Sequence, residues 1–347
     1  MPNLNDAITA LDKVITKSRV HFYKPIQIAE ILFHHRQGAN IRLENVETYR
    51  NLSKKWRDDV SGRLVGRRST SSQKYQDDLF NSNAMPPQLL ALLGEENNRT
   101  GGSIEAYIYH SILDKLSAVR VIAEYINSAT PETFSLVELL SYFKRYPGLK
   151  RSIDKAYEII VYALFDTLVR AFKATVTLEI EDNPRLINDF EGFVRIFLSL
   201  DKNNTKISMP ASLYRVGVTN AADSGIDIWA NFGPAIQVKH LTLSLEDIDD
   251  IAEGIECDRI IVVCIDSEKP AISSLLKQIG YHSRVQGIIT LTELKTWYGV
   301  AMSEIYSATL GVDLLLDLRR EFTNEFPSSV EIEPFIQQRN YRDPRKR

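Results

Sequence analysis

Cysteine is nearly absent from this chain of 347 residues: Cys257 and Cys264 are the only two. They lie in or beside one apolar run and lack the paired spacing of a metal site. That argues against a disulfide-stapled secreted scaffold and against a cysteine-held zinc, and suits reduced thiols in a cytoplasm. Also missing is any run near the roughly 18 apolar residues that a membrane helix needs. The first residues, MPNLNDAITALDKVITKSR, set acids among the apolar positions and offer no small-residue cleavage site, so no signal peptide is read there. Nor is there a large excess of one charge: the net charge of -3 rules out a chain coated in positive charge. What is present is ordinary globular composition, 44% hydrophobic and 25% charged, long enough for two domains or for one core with a substantial extra lobe.

The charges are unevenly placed, and for a nucleic-acid partner the distribution matters more than the total. Residues 50–74 hold eight basic side chains (Arg50, Lys54, Lys55, Arg57, Arg63, Arg67, Arg68, Lys74) against Asp58 and Asp59, a local +6. Residues 246–258 hold seven acids and no base. A basic run on a helix is often only a solvated face. It is also how a protein neutralises phosphates, and arginine can read guanine bidentately in the major groove. Contact with double-stranded DNA is therefore expected from among Lys54, Lys55, Arg57, Arg63, Arg67, Arg68 and Lys74.

Periodicity predicts a helical beginning: helices over 4–20, from Pro25, over 44–49 and over 52–65, then a polar basic loop. Short helices followed by a basic helix and loop suit a helix-turn-helix arrangement. Residues 81–102, with Pro86, Pro87, an Asn-Asn pair and Gly101-Gly102, read as connecting structure around one apolar turn, and helices resume over 104–127 and 136–143. From about residue 152 the pattern changes to a dense apolar helix over 153–173, a strand at 175–180, an inserted helix over 184–198, and strands at 213–218, 226–230 and 235–241. An acidic helix over 245–255, a buried strand at 259–265, a helix over 271–279, a strand at 287–291 and a final helix from 292 follow. The fold class expected is α/β, a mixed sheet flanked by helices with a mainly helical N-terminal lobe. The divisions expected are a helical DNA-reading lobe (1–103), a helical connector (104–150), a core (151–300), and a C-terminal helix with a disordered basic tail at 342–347 (301–347).

The informative segment runs Ser224-Gly225-Ile226-Asp227-Ile228-Trp229-Ala230-Asn231-Phe232-Gly233-Pro234-Ala235-Ile236-Gln237-Val238-Lys239-His240. Two apolar strands flank Asn-Phe-Gly, and a three-residue hairpin loop favours glycine last, where φ is positive. With 231–233 as the loop, 229 faces 235, 228 faces 236 and 227 faces 237. Opposite residues share a face, and a strand repeats its face every second residue. Asp227, Gln237 and Lys239 then converge, while His240 points the other way as a structural residue. Asp223, the rival acid, reads as a loop cap.

A carboxylate, an amide and an ammonium on one face suit phosphodiester hydrolysis. That reaction needs a hard cation to spread phosphoryl charge and acidify a water. Mg2+ takes oxygen ligands and keeps several waters. Asp227 is the anionic ligand, the carbonyl of Val238 a neutral one if its strand edge is free, and Lys239 serves the attacking water. Gln237 is either a ligand or a scaffold for Lys239.

Asp227 followed at this distance by Gln237-Val238-Lys239 resembles the signature of the PD-(D/E)XK nucleases, in the variant where glutamine replaces the second acid. That resemblance implies a core of helix, three strands, helix and strand. Some members recover a carboxylate from the first core helix, and Glu158, in Asp154-Lys155-Ala156-Tyr157-Glu158-Ile159, is the candidate. Otherwise Glu158 is paired with Lys155 or an arginine, since a buried carboxylate is rarely left alone. The segments Tyr23-Lys24-Pro25-Ile26-Gln27-Ile28-Ala29-Glu30, Ser53-Lys54-Lys55-Trp56-Arg57-Asp58, Arg151-Ser152-Ile153-Asp154-Lys155 and Tyr214-Arg215-Val216-Gly217-Val218-Thr219-Asn220-Ala221-Ala222-Asp223 resemble the HaeII-type restriction endonucleases. The likeness runs from the N-terminus past Trp297. It implies a homodimeric enzyme that cuts both strands at a palindromic site, RGCGCY, with a cognate DNA methyltransferase in the same cell. Two other readings stay open on the residues: a non-cutting DNA-binding protein on a decayed nuclease core, and a nuclease that recognises DNA structure rather than sequence.

Overall fold

A computed structural model of the chain describes residues 2–18, 21–69, 78–216, 226–239, 259–265, 285–326 and 330–346, with residues 270, 273, 274 and 277 between them. Two compact units emerge. The first comprises residues 1–128, 137–153 and 319–347, and the second residues 129–136 and 154–318. The class is the α/β expected: a helical N-terminal part, and further on a mixed sheet of five strands. No helix among the described residues is long and apolar enough to cross a membrane. Lys74, Asp223, His240, Cys257, the acidic helix read at 245–255 and most of 271–279 lie outside the described residues.

In the first unit, α1 (Leu4–Lys17) starts on a capping box in which Asn3 and Asp6 satisfy each other's backbone N–H, and it buries Ala7, Leu11, Val14 and Ile15 at helical spacing. Helix α2 (Tyr23–Arg36) begins two residues before Pro25, and α3 (Arg50–Val65) stops at Gly66, whose φ of +68° is the left-handed cap glycine takes freely. The helix read at 44–49 is a single 3-10 turn, Val46–Thr48.

The segment 81–102, read as connecting structure, contains a full helix, α4 (Pro87–Arg99). Pro87 lies in its first turn, where the missing N–H costs nothing, so the Pro-Pro pair marks a start rather than a break. Asn97 is buried, and its Oδ1 accepts the N–H groups of Ile104 and Glu105, both at 3.2 Å, at the head of α5 (Ser103–Ser128). Helix α6 (Leu136–Arg145) follows.

The tail from Arg342, expected to be disordered, is anchored in this unit instead. Arg345 donates to Asp114 at 2.6 Å and to Asp343 at 2.9 Å. Just before it, Arg339 grips the buried Glu30 with two bonds, 2.7 and 2.9 Å, and its guanidinium lies 3.6 Å from the ring centre of Phe33. Tyr109 donates to the same carboxylate. Glu105, fully buried, is held likewise by Arg36 at 2.9 and 2.8 Å, Asn97 at 2.6 Å, and Tyr341. The charge of the tail was legible, but not its distant partner Asp114, which lies more than 200 residues earlier. Removing one partner of a buried pair strands the other charge. Arg339→Ala is expected to destabilise the protein by about 3–5 kcal/mol in denaturant titration, whereas a loss within about 0.5 kcal/mol would show that Glu30 needs no partner.

In the second unit, α7 (Ile153–Ala171) is followed by β1 (Thr175–Glu179). This strand does not join the main sheet. It pairs antiparallel with β2 (Lys206–Pro210), which the sequence reading missed. The helix read at 184–198 lies between them but is broken: α8 (Pro184–Asp189), a short turn at Glu191–Phe193 and a π turn at Val194–Leu198. Ile187, Val194 and Leu200 form the small core of this insertion.

The main sheet has the order β3 (Leu213–Arg215), β4 (Ile228–Ala230), β5 (Pro234–Val238), β6 (Arg259–Cys264), β7 (Val285–Thr290). The first three strands are antiparallel and β5, β6 and β7 parallel. Every residue of β5 is buried, as a central strand between two neighbours requires. Helix α9 (Leu291–Ala301) leaves β7 on a capping box of Thr290 and Glu293, and its Tyr298 hydroxyl donates to the carbonyl of Ile160 in α7 at 2.9 Å.

Candidate active site

The β4–β5 hairpin has the register the loop length predicts: Ile228 faces Ile236 and Trp229 faces Ala235, with Gly233 at φ +112°. At Asp227 the ladder departs from the simple pattern. Its N–H donates to the carbonyl of Ile236 at 3.1 Å rather than pairing with residue 237, while its own carbonyl accepts the N–H of Val216. The side chain turns along the strand, and Oδ2 accepts the backbone N–H of Val238 at 2.8 Å. So the free strand edge expected at Val238 does not exist. The strand is internal, and a carboxylate takes the place of a backbone partner. N–H and C=O of one strand residue leave on the same side, so the carbonyl of Val238 is also directed toward the Asp227 side.

Glu158 of α7 meets this carboxylate. It is 4% exposed and accepts from Lys155 Nζ at 2.6 Å. Burial first, and then the charge of Asp227, push its carboxyl up to about 7. Asp227 is half-buried, and burial raises its carboxyl too, against the Val238 N–H and the positive charges of Lys155 and Lys239, which favour the ionised form. Two carboxyl groups therefore share one weakly hydrated place: the charge of Asp227 raises the cost of ionising Glu158, while a hydrogen bond with Glu158 favours the ionised form of Asp227. Of the two alternatives for Glu158, metal ligand or partner of a cation, the pairing with Lys155 is present, and the same carboxyl group also faces Asp227.

Strand alternation sets Gln237 on the face of Lys239. Gln237 is 2% exposed, and its Oε1 has no hydrogen-bond partner among the described residues. Lys239 is half-buried at the end of β5, its N–H donating to Val263 of β6 at 2.9 Å. Arg215 was not singled out as a site residue, yet its charge acts on Glu158. The signal for it was its place on β3, where it faces Ile228, next to Asp227.

Among the described residues no group of three His, Cys, Asp or Glu side chains could hold a metal. A hard cation needs only oxygen, however, and keeps several waters. The crowded carboxyl groups of Glu158 and Asp227 are oxygen donors of that kind, and the amide oxygen of Gln237 on β5 is a further buried oxygen left without a donor among the described residues. They fit a divalent cation.

The basic segment separates on inspection. Arg57 is 2% exposed, and its guanidinium is bound by Asp58 at 2.9 and 2.7 Å and by Gln27 at 3.3 Å, so it braces α2 against α3 instead of facing solvent. Arg63 donates to Gln338 at 3.0 Å and Arg67 to the carbonyl of Asn324. Lys54 is half-buried. Lys55 and Arg68 present exposed side chains with no ion pair among the described residues.

The model of the family described as HaeII restriction endonuclease matches residues 7–341. The chain belongs to the HaeII restriction endonuclease family. It is 48% identical over 344 residues to the type II restriction enzyme HaeII of Haemophilus aegyptius, covering 98% of each chain. It is 46% identical over 328 residues to the type II restriction enzyme NgoBI of Neisseria gonorrhoeae, covering 94% of this chain and 93% of that one. No solved structure matches. For this HaeII-family chain the carboxylate pair is thus seen on a fold that no comparison structure supplied.

Proposed function

We propose that this chain is a Mg2+-dependent type II site-specific deoxyribonuclease, acting as a homodimer in the cytoplasm on a palindromic duplex. The family resemblance implies the site RGCGCY, with a cognate methyltransferase protecting the host's own copies. The observation that carries the chemistry is the Glu158–Asp227 pair beside Lys239. A core that no longer cut would have no reason to keep a buried and a half-buried carboxylate in each other's field. Glu158 also restores the acid that Gln237 lacks.

Asp227, Glu158, Gln237 and the carbonyl of Val238 are the residues that would hold Mg2+. When bound, it spreads negative charge from the phosphoryl oxygens and acidifies a water. The Val238 N–H fixes one oxygen of Asp227 and so leaves the other for ligation. Lys155 neutralises one oxygen of Glu158. Lys239 orients the attacking water and stabilises the charge that builds on phosphorus as a water–phosphorus bond forms and one ester bond breaks. Incubation with plasmid and Mg2+ tests the reading. Discrete fragments whose ends share one palindrome are expected, and a failure to cut at any enzyme excess, or cuts that follow DNA structure, would overturn it.

Two further results are expected. Proton and cation compete for Glu158, so its raised pKa makes cation affinity fall as pH is lowered through about 7. Calorimetric titration with Mn2+ at pH 8 and pH 6 should show weaker binding at the lower pH, and equal affinities would remove Glu158 from the ligand set. In the helical lobe, proposed as the DNA-reading part, Lys55 and Arg68 are exposed cations of the basic run that have no ion pair among the described residues. Replacing both with alanine should flatten the plot of log binding constant against log salt by about two units. An unchanged slope would put the DNA elsewhere.

A further inference from the structure

The insertion between β1 and β2 has an apolar face with nothing on it among the described residues. Leu186, Phe190, Phe193, Ile196 and Phe197 are 53%, 58%, 55%, 78% and 73% exposed, and the rings of Phe193 and Phe197 stack at 5.0 Å. Ile187, Val194 and Leu200 point the other way into the insertion's own core, so the outer residues are surplus to its folding. Soluble monomers rarely leave such a patch open.

We propose that this face is the contact through which two copies of the chain associate. The proposal rests on the reading of the chain as an endonuclease of a two-fold symmetric duplex. Three features favour a second copy. First, the spacing is symmetric: 186, 190, 193 and 197 are separated by four, three and four residues. An antiparallel pairing about a two-fold axis between residues 191 and 192 sets Leu186 against Phe197 and Phe190 against Phe193, so each of these four meets an apolar residue, while Ile196 falls opposite the inward-facing Ile187. Second, a glycine stands at the axis. A side chain on Gly192 would touch nothing, so two backbones can approach there without a clash. Third, the flanks are complementary: the same pairing sets the exposed Arg195 of one copy opposite Asn188 and beside Asp189 of the other.

The area is adequate. From side chains of this size and exposure, each copy offers on the order of 500 Å2 of apolar surface. Two copies bury about twice that as the centre of an interface whose usual total is roughly 1,600 Å2, the polar flanks supplying the remainder. The π turn at Val194–Leu198 contributes by setting Phe197 beside Phe193 while Val194 stays inward.

The test uses the full chain. Light scattering after gel filtration should give a dimer for the unaltered protein, and Phe193→Glu with Phe197→Glu should raise the dimer dissociation constant at least about 100-fold. A second variant does not depend on that one folding. Gly192→Cys lies on the axis and should form a disulfide-linked dimer under mild oxidation. Arg185→Cys, which the pairing places about 20 Å from its own copy, should not. An unaltered chain that is monomeric at all concentrations, a charged variant that stays dimeric, or a Gly192→Cys protein that does not cross-link would each overturn the proposal. Plasmid cutting by the unaltered protein separates this from the functional reading. A dimer through this face that cuts nothing would overturn the function alone, and a cutting enzyme that does not pair here would overturn the interface alone.

Discussion

Lys239→Ala is expected to lower the rate of strand cutting by about 10^3-fold or more while leaving specific binding of the duplex nearly unchanged. Lys239 is half-buried at the end of β5, with its charge felt by Asp227. Its backbone is held by the bond from its N–H to Val263, which does not depend on the side chain, so the strand should keep its place in the variant. What disappears is a positive charge placed where negative charge builds as the phosphorus gains a fifth oxygen. Such a group acts on the transition state more than on bound DNA, which is why rate and binding should separate. Lys239→Arg keeps the charge but moves it outward on a planar fork and should recover only part of the rate. Gel-shift titration in Ca2+ and single-turnover cutting in Mg2+ measure the two quantities. A Lys239→Ala protein that cuts at the unaltered rate would remove Lys239 from the chemistry.

Asp227→Asn is the second large effect, again expected to cost about 10^3-fold or more in cutting. An asparagine has nearly the shape of aspartate and could still accept the Val238 N–H through its oxygen, so the hairpin should survive. The change removes the negative charge and with it the strongest reason for a cation to bind. It also relieves Glu158, whose carboxyl is pushed up partly by Asp227. Asp227→Asn should therefore let Glu158 ionise at lower pH, and the protein without cation should lose none of its thermal stability. A melting temperature several degrees lower would instead show that Asp227 serves the fold.

Much of this was legible in the sequence for simple reasons. The hairpin register followed from loop length and the period of two, so Asn231-Phe232-Gly233 was enough to place Ile228 opposite Ile236. Glu158 was singled out by the family resemblance, which implies a carboxylate on the first core helix, and a carboxylate on so apolar a helix was expected to have a partner. The remainder was hidden where tertiary context decides. The departure from the ladder at Asp227, whose side chain replaces a backbone acceptor, has no signature in spacing. Strand β1 read correctly as a strand, but its partner β2 was missed, and with it the fact that the pair stands apart from the main sheet. The basic run of residues 50–74 looked uniform, whereas burial by Gln27 and Asp58 takes Arg57 out of it and the C-terminal segment occupies Arg63 and Arg67. Long-range partners are invisible to local periodicity.

The central claim is that Glu158, Asp227 and Gln237 together hold one divalent cation against a DNA phosphate. A crystal of the protein with a cognate-site duplex and Ca2+ in place of Mg2+ tests it most directly. An ion with oxygens of Asp227, Glu158 and Gln237 at about 2.3–2.6 Å and a phosphate oxygen completing the shell is expected. An ion bound elsewhere, or the Gln237 amide turned away from it with the duplex in place, would contradict the account.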